Sequence, residues 1–300
     1  MPVIGFRHEQ WVDRPKLSAP VAPIYLEEHR MKTYVLYHAN CTDGAGSALS
    51  AYLVFGDSAE YIPVQYGDAP PAMEEDAMIY IVDFSYSADV LLEMAEHASF
   101  IQILDHHKTA KETLACVDHP NIKVHFDMEQ SGAVLTWKFF HPDREVPPLL
   151  RHIQDRDLWL FTMHGSRKIH RALDMYEDWK DWAQFLYEVR PLISEGNAII
   201  RFLEVQTARI IGGPPRKFFA TGDVVPVFNL PGFMISDALA QTLEDHPECP
   251  YAVGFITLPD KTVYSLRSRN TEDVDVAAIA QAFGGGGHKH AAGFSVTENK

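Results

Sequence analysis

The sequence has few cysteines, no long apolar run and a deficit of positive charge. Its cysteines, Cys41, Cys116 and Cys249, form no CxxC pair and no disulfide framework, which favours a reducing, cytoplasmic compartment. No apolar run is long enough to cross a bilayer and no secretory pattern is present, so we expect no membrane partner. The 26 Lys and Arg residues face 41 Asp and Glu, a net charge of -15. This argues against duplex DNA as a partner, but a small phosphorylated substrate remains compatible because metal ions supply local positive charge.

The sequence instead has polar side chains at the ends of apolar strands. The apolar segment Phe100–Leu104 predicts a buried strand, and it runs directly into Asp105, His106 and His107. Carboxylates and imidazoles are ligands of divalent metals. Taken alone, this triplet is equally well explained as a polar loop after a strand.

Two further predicted strands end in the same way. The strand 34–37 leads to His38 and Asp43, and the strand 77–82 leads to Asp83. Helical segments separate these strands, which predicts a parallel sheet whose carboxyl ends meet at one edge. Carboxylates crowded at that edge would repel each other unless a cation lay between them, so we predict a metal site there.

A fourth predicted strand, 122–126, and two helical segments follow, and the second of these carries Asp155 and Asp157. Residues two apart face different sides of a helix, so at most one of the two aspartates points to the predicted crevice. For either one alone, a surface salt bridge with Arg151 or Arg156 is an alternative.

The pattern predicts a second domain after a long helical segment. Residues 179–211 have helical spacing, and Gly212–Pro215 ends them abruptly. A predicted hairpin then carries Arg267, and a helix over 276–283 runs into four glycines and His288. Glycine backbone and basic side chains suit an anion, although a glycine run is also typical of a flexible loop.

Together these segments resemble the DHH phosphoesterase family with its DHH-associated C-terminal domain, and in particular an exopolyphosphatase-related subgroup. The resemblance covers the chain from about Met31 to its end, with the motifs in the family order. It implies an α/β fold in which a parallel-sheet domain is joined by a helical linker to a smaller, mixed-sheet C-terminal domain. The expected boundaries are an N-terminal extension at 1–30, a metal-binding catalytic domain at 31–190, a linker at 191–215 and a substrate-binding domain at 216–300.

The resemblance also implies roles for individual residues. Catalytic roles are expected for His107, Asp105 and Asp83, with His107 contacting the scissile phosphate. Asp105 is either a metal ligand or the group that orients its neighbouring histidine. The expected metal ligands are His38, Asp43, Asp83, Asp105, His106 and Asp155. Substrate binding is expected from Arg267, Gly285, Gly286, Gly287 and His288. The implied cofactor is Mn²⁺, one or two ions, with Mg²⁺ as an alternative.

One residue departs from the family pattern. Cys41 stands where the first of two aspartates is expected, and Mn²⁺ and Mg²⁺ prefer oxygen ligands. The first metal site is therefore weak, or is served by Asn40 or Cys41, or takes a different ion. Alternatively, Cys41 is a small buried filler beside a one-metal site.

These observations predict an enzyme, a metal-dependent phosphoesterase that uses metal-activated water. We expect it to hydrolyse a small phosphorylated substrate, a short oligonucleotide or a cyclic nucleotide. Inorganic polyphosphate is the alternative substrate. Cys41 motivates a second alternative, a non-catalytic, metal-dependent sensor of a phosphate ligand. A homodimer is compatible with the sequence.

Overall fold

The described residues form two lobes, each built on a sheet of five strands. The computed structural model describes residues 31–269 and 274–297; the predicted extension at 1–30 lies outside these ranges. No helix in this described part is long and apolar enough to cross a membrane. The α/β fold with a parallel sheet and a separate mixed sheet is confirmed.

The first sheet is parallel throughout. In spatial order its strands run β2-β1-β3-β4-β5. Their apolar residues form its core; Leu36, Ile81 and Ile103 are completely buried. The strands are β1 (Thr33–His38), β2 (Ala59–Val64), β3 (Ala77–Val82), β4 (Ala98–Asp105) and β5 (Ile122–Phe126).

Helices connect these strands and extend the first lobe. They are α1 (Thr42–Phe55), α2 (Ala88–His97), α3 (Lys108–Leu114), α4 (Gly132–Phe140), α5 (Pro148–Asp157) and α6 (Ser166–Leu173). Helix α1 begins at Thr42, close to the end of β1, because Gly44 can lie against that strand. A Cβ on Gly44 would overlap the carbonyl oxygen of His38.

The long helical segment is shorter than predicted. Trp179–Phe185 is a separate 3-10 helix, and α7 spans only Arg190–Ile210. Pro191 lies in the first turn of α7, where its missing N–H costs no helical hydrogen bond. The sequence pattern therefore merged two helical elements into one. The predicted domain boundaries remain predictions.

The second lobe has a mixed sheet with strand order β11-β12-β10-β9-β8, in which only β8 and β9 are parallel neighbours. Its elements are β6 (Arg216–Lys217), β7 (Val224–Val225), β8 (Val227–Asn229), α8 (Gly232–Asp245), β9 (Tyr251–Thr257), β10 (Lys261–Ser268), α9 (Val276–Gln281), β11 (Gly286–His288) and β12 (Ala291–Thr297). An ion pair of 2.6 Å between Lys108 Nζ and Asp275 Oδ2 joins the lobes beside the carboxyl end of β4.

Candidate metal centre

The candidate site lies where three strands of the parallel sheet end. β1 ends at His38, Asp83 follows β3, and β4 ends at Asp105, directly before His106. Asp83 has a backbone φ of 62°, in the left-handed region that few side chains adopt. Such strain persists only where the surrounding structure enforces it, and it is concentrated at functional sites. The fold therefore holds Asp83 in a fixed and unfavourable conformation.

Four side chains converge beyond these strand ends, and we call them the carboxylate cluster: Asp43, Asp83, Asp157 and His106. The Nε2 atom of His106 lies 3.1 Å from Asp83 Oδ1. It also lies 3.5 Å from Asp43 Oδ2 and 3.7 Å from Asp157 Oδ2. His38 joins from the edge, with its Nδ1 3.4 Å from Asp83 Oδ2. One imidazole is thus surrounded by three carboxylates.

The start of α4 holds Asp43 in place. The backbone N–H groups of Gly132 and Ala133 donate to its two carboxylate oxygens at 2.5 and 3.0 Å. The positive end of a helix stabilises a carboxylate in this position. Gly132 also packs against Asp83, because a Cβ at this position would lie 2.6 Å from Asp83 Cβ and Oδ1. Nothing in the sequence pattern linked α4 to this site.

The donor atoms fit a divalent cation. Three overlapping groups have ligand atoms within 4.8 Å of one another: Asp43, Asp83 and His106; His38, Asp83 and His107; and His106, His107 and His288. In the described part of the chain, His38 Nδ1, Asp83 Oδ2 and Asp157 Oδ2 are buried without a hydrogen-bond partner. Buried polar atoms without partners are costly, and a cation would satisfy them. Carboxylate oxygens and imidazole nitrogens are both ligands of divalent metal ions.

The proton affinities reflect the crowding of charge. Burial opposes protonation of His106, but its contacts with Asp83, Asp157 and Asp43 raise its pKa to about 10. Burial and the charges of Asp83 and Asp157 raise the pKa of Asp43 well above its usual range. A proton on His106 therefore provides the positive charge that a metal ion would otherwise bring to the carboxylate cluster.

Asp105 orients its neighbours. Its Oδ1 accepts from His107 Nδ1 at 2.8 Å and from the backbone N–H of His106 at 2.7 Å, while its Oδ2 accepts from Ser85 Oγ at 2.7 Å. Asp105 belongs to none of the ligand groups among the described residues. Of the two roles expected for Asp105, the geometry supports orientation of His107 through its Nδ1. The Nε2 atom of His107 can then contact a ligand.

Two aromatic rings flank His107. From the second lobe, His288 stacks on it with ring centroids 4.6 Å apart and planes at 19°. From the loop after β2, Tyr66 lies 5.8 Å from His107 and 5.0 Å from His38, edge to face. Tyr66 is 50% exposed, and sequence reasoning did not identify it. The site is therefore open on the side of Tyr66.

Comparison with known proteins finds a matching domain family and two relatives that align over most of the chain. The DHHA1 domain family matches residues 234–300, most of the second lobe. An uncharacterised protein of Acanthamoeba polyphaga mimivirus is 31% identical over 287 residues, 87% of this chain. This chain spans 66% of that protein, just under two thirds of its length. The oligoribonuclease NrnB of Bacillus subtilis (strain 168) is 23% identical over 305 residues, 88% of this chain and 73% of that protein.

A solved structure shares the fold. The DHH domain of a protein described as a member of a ribosomal protein family superposes with a TM-score of 0.51 at 14% identity, over 89% of this chain and 83% of that chain. These comparisons support the resemblance to the DHH family. The triplet that gives this family its name is Asp105, His106 and His107 in this chain.

The structure places the two aspartates of the last acidic motif differently from the expectation. Asp155 lies outside the carboxylate cluster, because its two oxygens accept from the Oγ of Ser166 at 2.6 Å and from Thr162 and Met163. It closes the turn after α5. Asp157, two residues later, is the residue that reaches His106. The helical spacing predicted that at most one of the two aspartates faces the site, and the family resemblance assigned Asp155. The structure instead places Asp157 beside His106.

The glycine run serves close packing. Gly286–His288 form β11 and pair with β12, and the N–H of Gly285 donates to Ala280 O at 2.9 Å. A Cβ on Gly285 would overlap the carbonyl oxygen of Gly293. The last two glycines of the run therefore belong to an ordered strand that brings His288 to His107. The sequence pattern suggested an anion-binding backbone or a flexible loop, and it did not predict this strand.

Cys41 and Arg267 have different surroundings. Cys41 precedes α1, and burial and the charges of Asp83, Asp157 and Asp43 raise the pKa of its thiol. Among the described residues, Cys41 belongs to none of the three ligand groups, which favours its interpretation as a filler. Arg267 donates to Ser236 Oγ at 2.9 Å and to its own neighbour's carbonyl, Leu266 O, at 2.8 Å.

The correction at the last acidic motif can be tested with a matched pair. We expect Asp157→Asn to raise the dissociation constant for Mn²⁺ at least about 10-fold, since even outer-shell losses reach that size. Asp155→Asn should leave Mn²⁺ binding nearly unchanged and lower the free energy of unfolding by about 1–3 kcal/mol, because its donors lose a charged acceptor. Titration calorimetry and denaturant unfolding measure both. The reverse pattern would restore Asp155 as the ligand.

Proposed function

We propose that this protein is a metal-dependent phosphoesterase that hydrolyses short oligonucleotides. The carboxylate cluster is the observation that carries the proposal, because its buried, unpartnered oxygens match the needs of a divalent cation. The metal would be held by Asp43, Asp83, Asp157 and His106, with His38 at its edge. When bound, such an ion lowers the pKa of water and neutralises charge on a phosphate group.

The protein's own side chains support the remaining requirements of phosphate ester hydrolysis. Asp105 raises the pKa of His107 against the opposing effect of burial, which favours a protonated imidazole that can donate to a phosphate oxygen. His288 packs on the other face of His107 and excludes water there. The sheet edge and the start of α4 fix the carboxylates before substrate arrives, and such preorganisation is a major source of catalysis.

Two observations favour a nucleotide over inorganic polyphosphate. A relative, NrnB of Bacillus subtilis, is named an oligoribonuclease. In this chain, the half-exposed ring of Tyr66 lies beside His38 and His107, where it can stack on a base next to the scissile phosphate. Polyphosphate has no group that would use such a ring.

The test is hydrolysis of a dinucleotide, a 2′,3′-cyclic nucleotide and polyphosphate at a fixed Mn²⁺ concentration. We expect nucleotide release from the dinucleotide and loss of that release in His107→Ala. Phosphate release from polyphosphate alone would replace the proposal with a polyphosphatase. A protein that binds Mn²⁺ but hydrolyses none of the three would instead act as a phosphate-ligand sensor.

Tyr66 provides a prediction about substrate choice. Tyr66→Ala should lower kcat/KM for the dinucleotide about 10-fold, because stacking contributes about 1–3 kcal/mol per base. Tyr66→Phe should retain most of the activity, since the ring remains. The control is Tyr187→Ala, a side chain that is 58% exposed on the first lobe. Steady-state kinetics on the three variants measure kcat/KM for the dinucleotide. Equal losses of kcat/KM in Tyr66→Ala and Tyr66→Phe would exclude stacking.

A further inference from the structure

Helix α7 has an exposed apolar face that no other part of the described chain covers. Its only buried residues are Leu192 and Gly196, both in its first two turns. Gly196 lies against α6, because a Cβ there would overlap the carbonyl oxygen of Lys168. Further along α7, by contrast, Phe202 is 63% exposed and Val205 is 52% exposed. The beginning of α7 therefore packs on α6, and its later turns present large apolar side chains to solvent.

The residues of this face have the spacing of a seam between two helices. Five exposed residues follow one another at alternating intervals of three and four, and we call them the α7 stripe: Glu195, Ala198, Phe202, Val205 and Arg209. This alternation keeps all five on one side of the helix, as in the heptad pattern by which two helices pack against each other. Exposed apolar side chains aligned in this way indicate an interaction surface.

The charges of the α7 stripe are complementary to themselves. Glu195 lies seven residues before Phe202, and Arg209 lies seven residues after it. If two copies of α7 pack antiparallel with Phe202 at the two-fold axis, Glu195 of each copy faces Arg209 of the other. A parallel pair would instead place Glu195 against Glu195 and Arg209 against Arg209, and such like-charge contacts are unfavourable. The charges therefore favour a second copy of this chain, packed antiparallel, as the partner.

The two charged ends of the α7 stripe contact only neutral groups within residues 31–269 and 274–297. Glu195 Oε2 accepts from Tyr176 Oη at 3.2 Å. Arg209 Nη1 donates to Gln206 Oε1 of its own helix at 3.3 Å. Neither contact is an ion pair, so an opposite charge from a second copy would add an interaction without breaking one. Ion pairs at the rim of an interface mainly determine which arrangement of the partners is accepted.

We propose that the α7 stripe is the interface of a homodimer, in which α7 of one copy packs antiparallel against α7 of a second copy. Phe202 and Val205 form the apolar centre, and Glu195 and Arg209 form the ionic ends. The interface is isologous, since both copies use the same surface. The stripe is about 21 Å long at 1.5 Å per residue. Because a single helix pair of this length buries less than a standard interface, we expect a reversible dimer with a Kd on the order of 10 µM.

The test is sedimentation equilibrium of the full chain between about 1 and 200 µM, where we expect the wild type to change from monomer to dimer. Phe202→Glu should raise the Kd of the dimer at least about 10-fold, because it places two like charges at the axis. The matched control is Phe233→Glu, a 58% exposed phenylalanine in another helix, α8. Circular dichroism verifies that each variant is folded. A dimer that Phe202→Glu does not weaken overturns the proposal, and a wild type that stays monomeric overturns it in favour of a different partner.

An exchange of charges tests the antiparallel direction of the pair. Glu195→Arg alone and Arg209→Glu alone should each raise the Kd about 10-fold, since each places like charges opposite one another at both ends of the seam. The double variant Glu195→Arg/Arg209→Glu restores opposite charges and should return the Kd close to the wild-type value. In a parallel pair, the single variants would bind as the wild type does. Single variants without effect, or a double variant no tighter than the single ones, would therefore overturn the proposed pairing.

Discussion

We expect Asp83→Asn to lower kcat by about 10³-fold or more on every substrate that the wild-type protein hydrolyses. Asp83 contacts both histidines of the metal centre, His106 at 3.1 Å and His38 at 3.4 Å, and it is buried in a strained conformation. Loss of its charge removes metal-dependent stabilisation of the transition state, which is worth several kcal/mol, and each 1.36 kcal/mol changes the rate tenfold. Steady-state kinetics at saturating Mn²⁺ measure the effect.

Asp89→Asn is the matched control for this experiment. Asp89 lies in the first turn of α2, is exposed, and should tolerate the change with little loss of activity. Titration calorimetry on both variants separates loss of metal from loss of chemistry, and we expect weaker Mn²⁺ binding in Asp83→Asn alone. Full activity in Asp83→Asn would refute the assignment of the metal centre.

Gly132→Ala is expected to damage both stability and activity. The new Cβ would lie 2.6 Å from Cβ and Oδ1 of Asp83, so Asp83 or α4 must move. Overpacking of this kind costs about 1–3 kcal/mol in the free energy of unfolding. A displacement of about 1 Å at a reacting centre costs about 10²-fold in rate, and we expect that loss in kcat. Denaturant unfolding measures the free energy of unfolding, and steady-state kinetics on the same preparation measure kcat.

Gly232→Ala provides the comparison, because Gly232 is likewise the first residue of a helix, α8. A Cβ there meets no atom within 4 Å. Stability should remain within about 1 kcal/mol of the wild type, since the substitution only reduces the freedom of the unfolded chain. If Gly132→Ala and Gly232→Ala change the free energy of unfolding and kcat equally, the contact between Gly132 and Asp83 does not contribute to activity.

Local patterns were sufficient to predict the sheet and its polar edge. The strand Phe100–Leu104 is apolar and runs into Asp105, and Ala77–Val82 runs in the same way into Asp83. Parallel strands must place such endings side by side, so their proximity follows from topology. The antiparallel pair β9–β10 of the second sheet also follows from a hairpin pattern around residues 259–261.

Other features depended on contacts between distant segments. Asp155 and Asp157 have the same chemistry and nearly the same position, and only the turn formed by Thr162, Met163 and Ser166 decides which one is withdrawn from the site. The start of α4 reaches Asp43 although Gly132 lies 89 residues further along the chain, and no local pattern encodes that pairing.

The amino-acid sequence by itself thus determined the strands and their acidic and imidazole ends, because periodicity and adjacent residues record those features directly. The tertiary structure alone decided that Asp157 completes the carboxylate cluster, that Tyr66 flanks His107, that Gly286 and Gly287 lie in a packed strand and that Arg156 and Arg171 share Asp237. The physical reason is that these arrangements depend on side-chain direction and on which segments pack together, and neither is written in residue spacing.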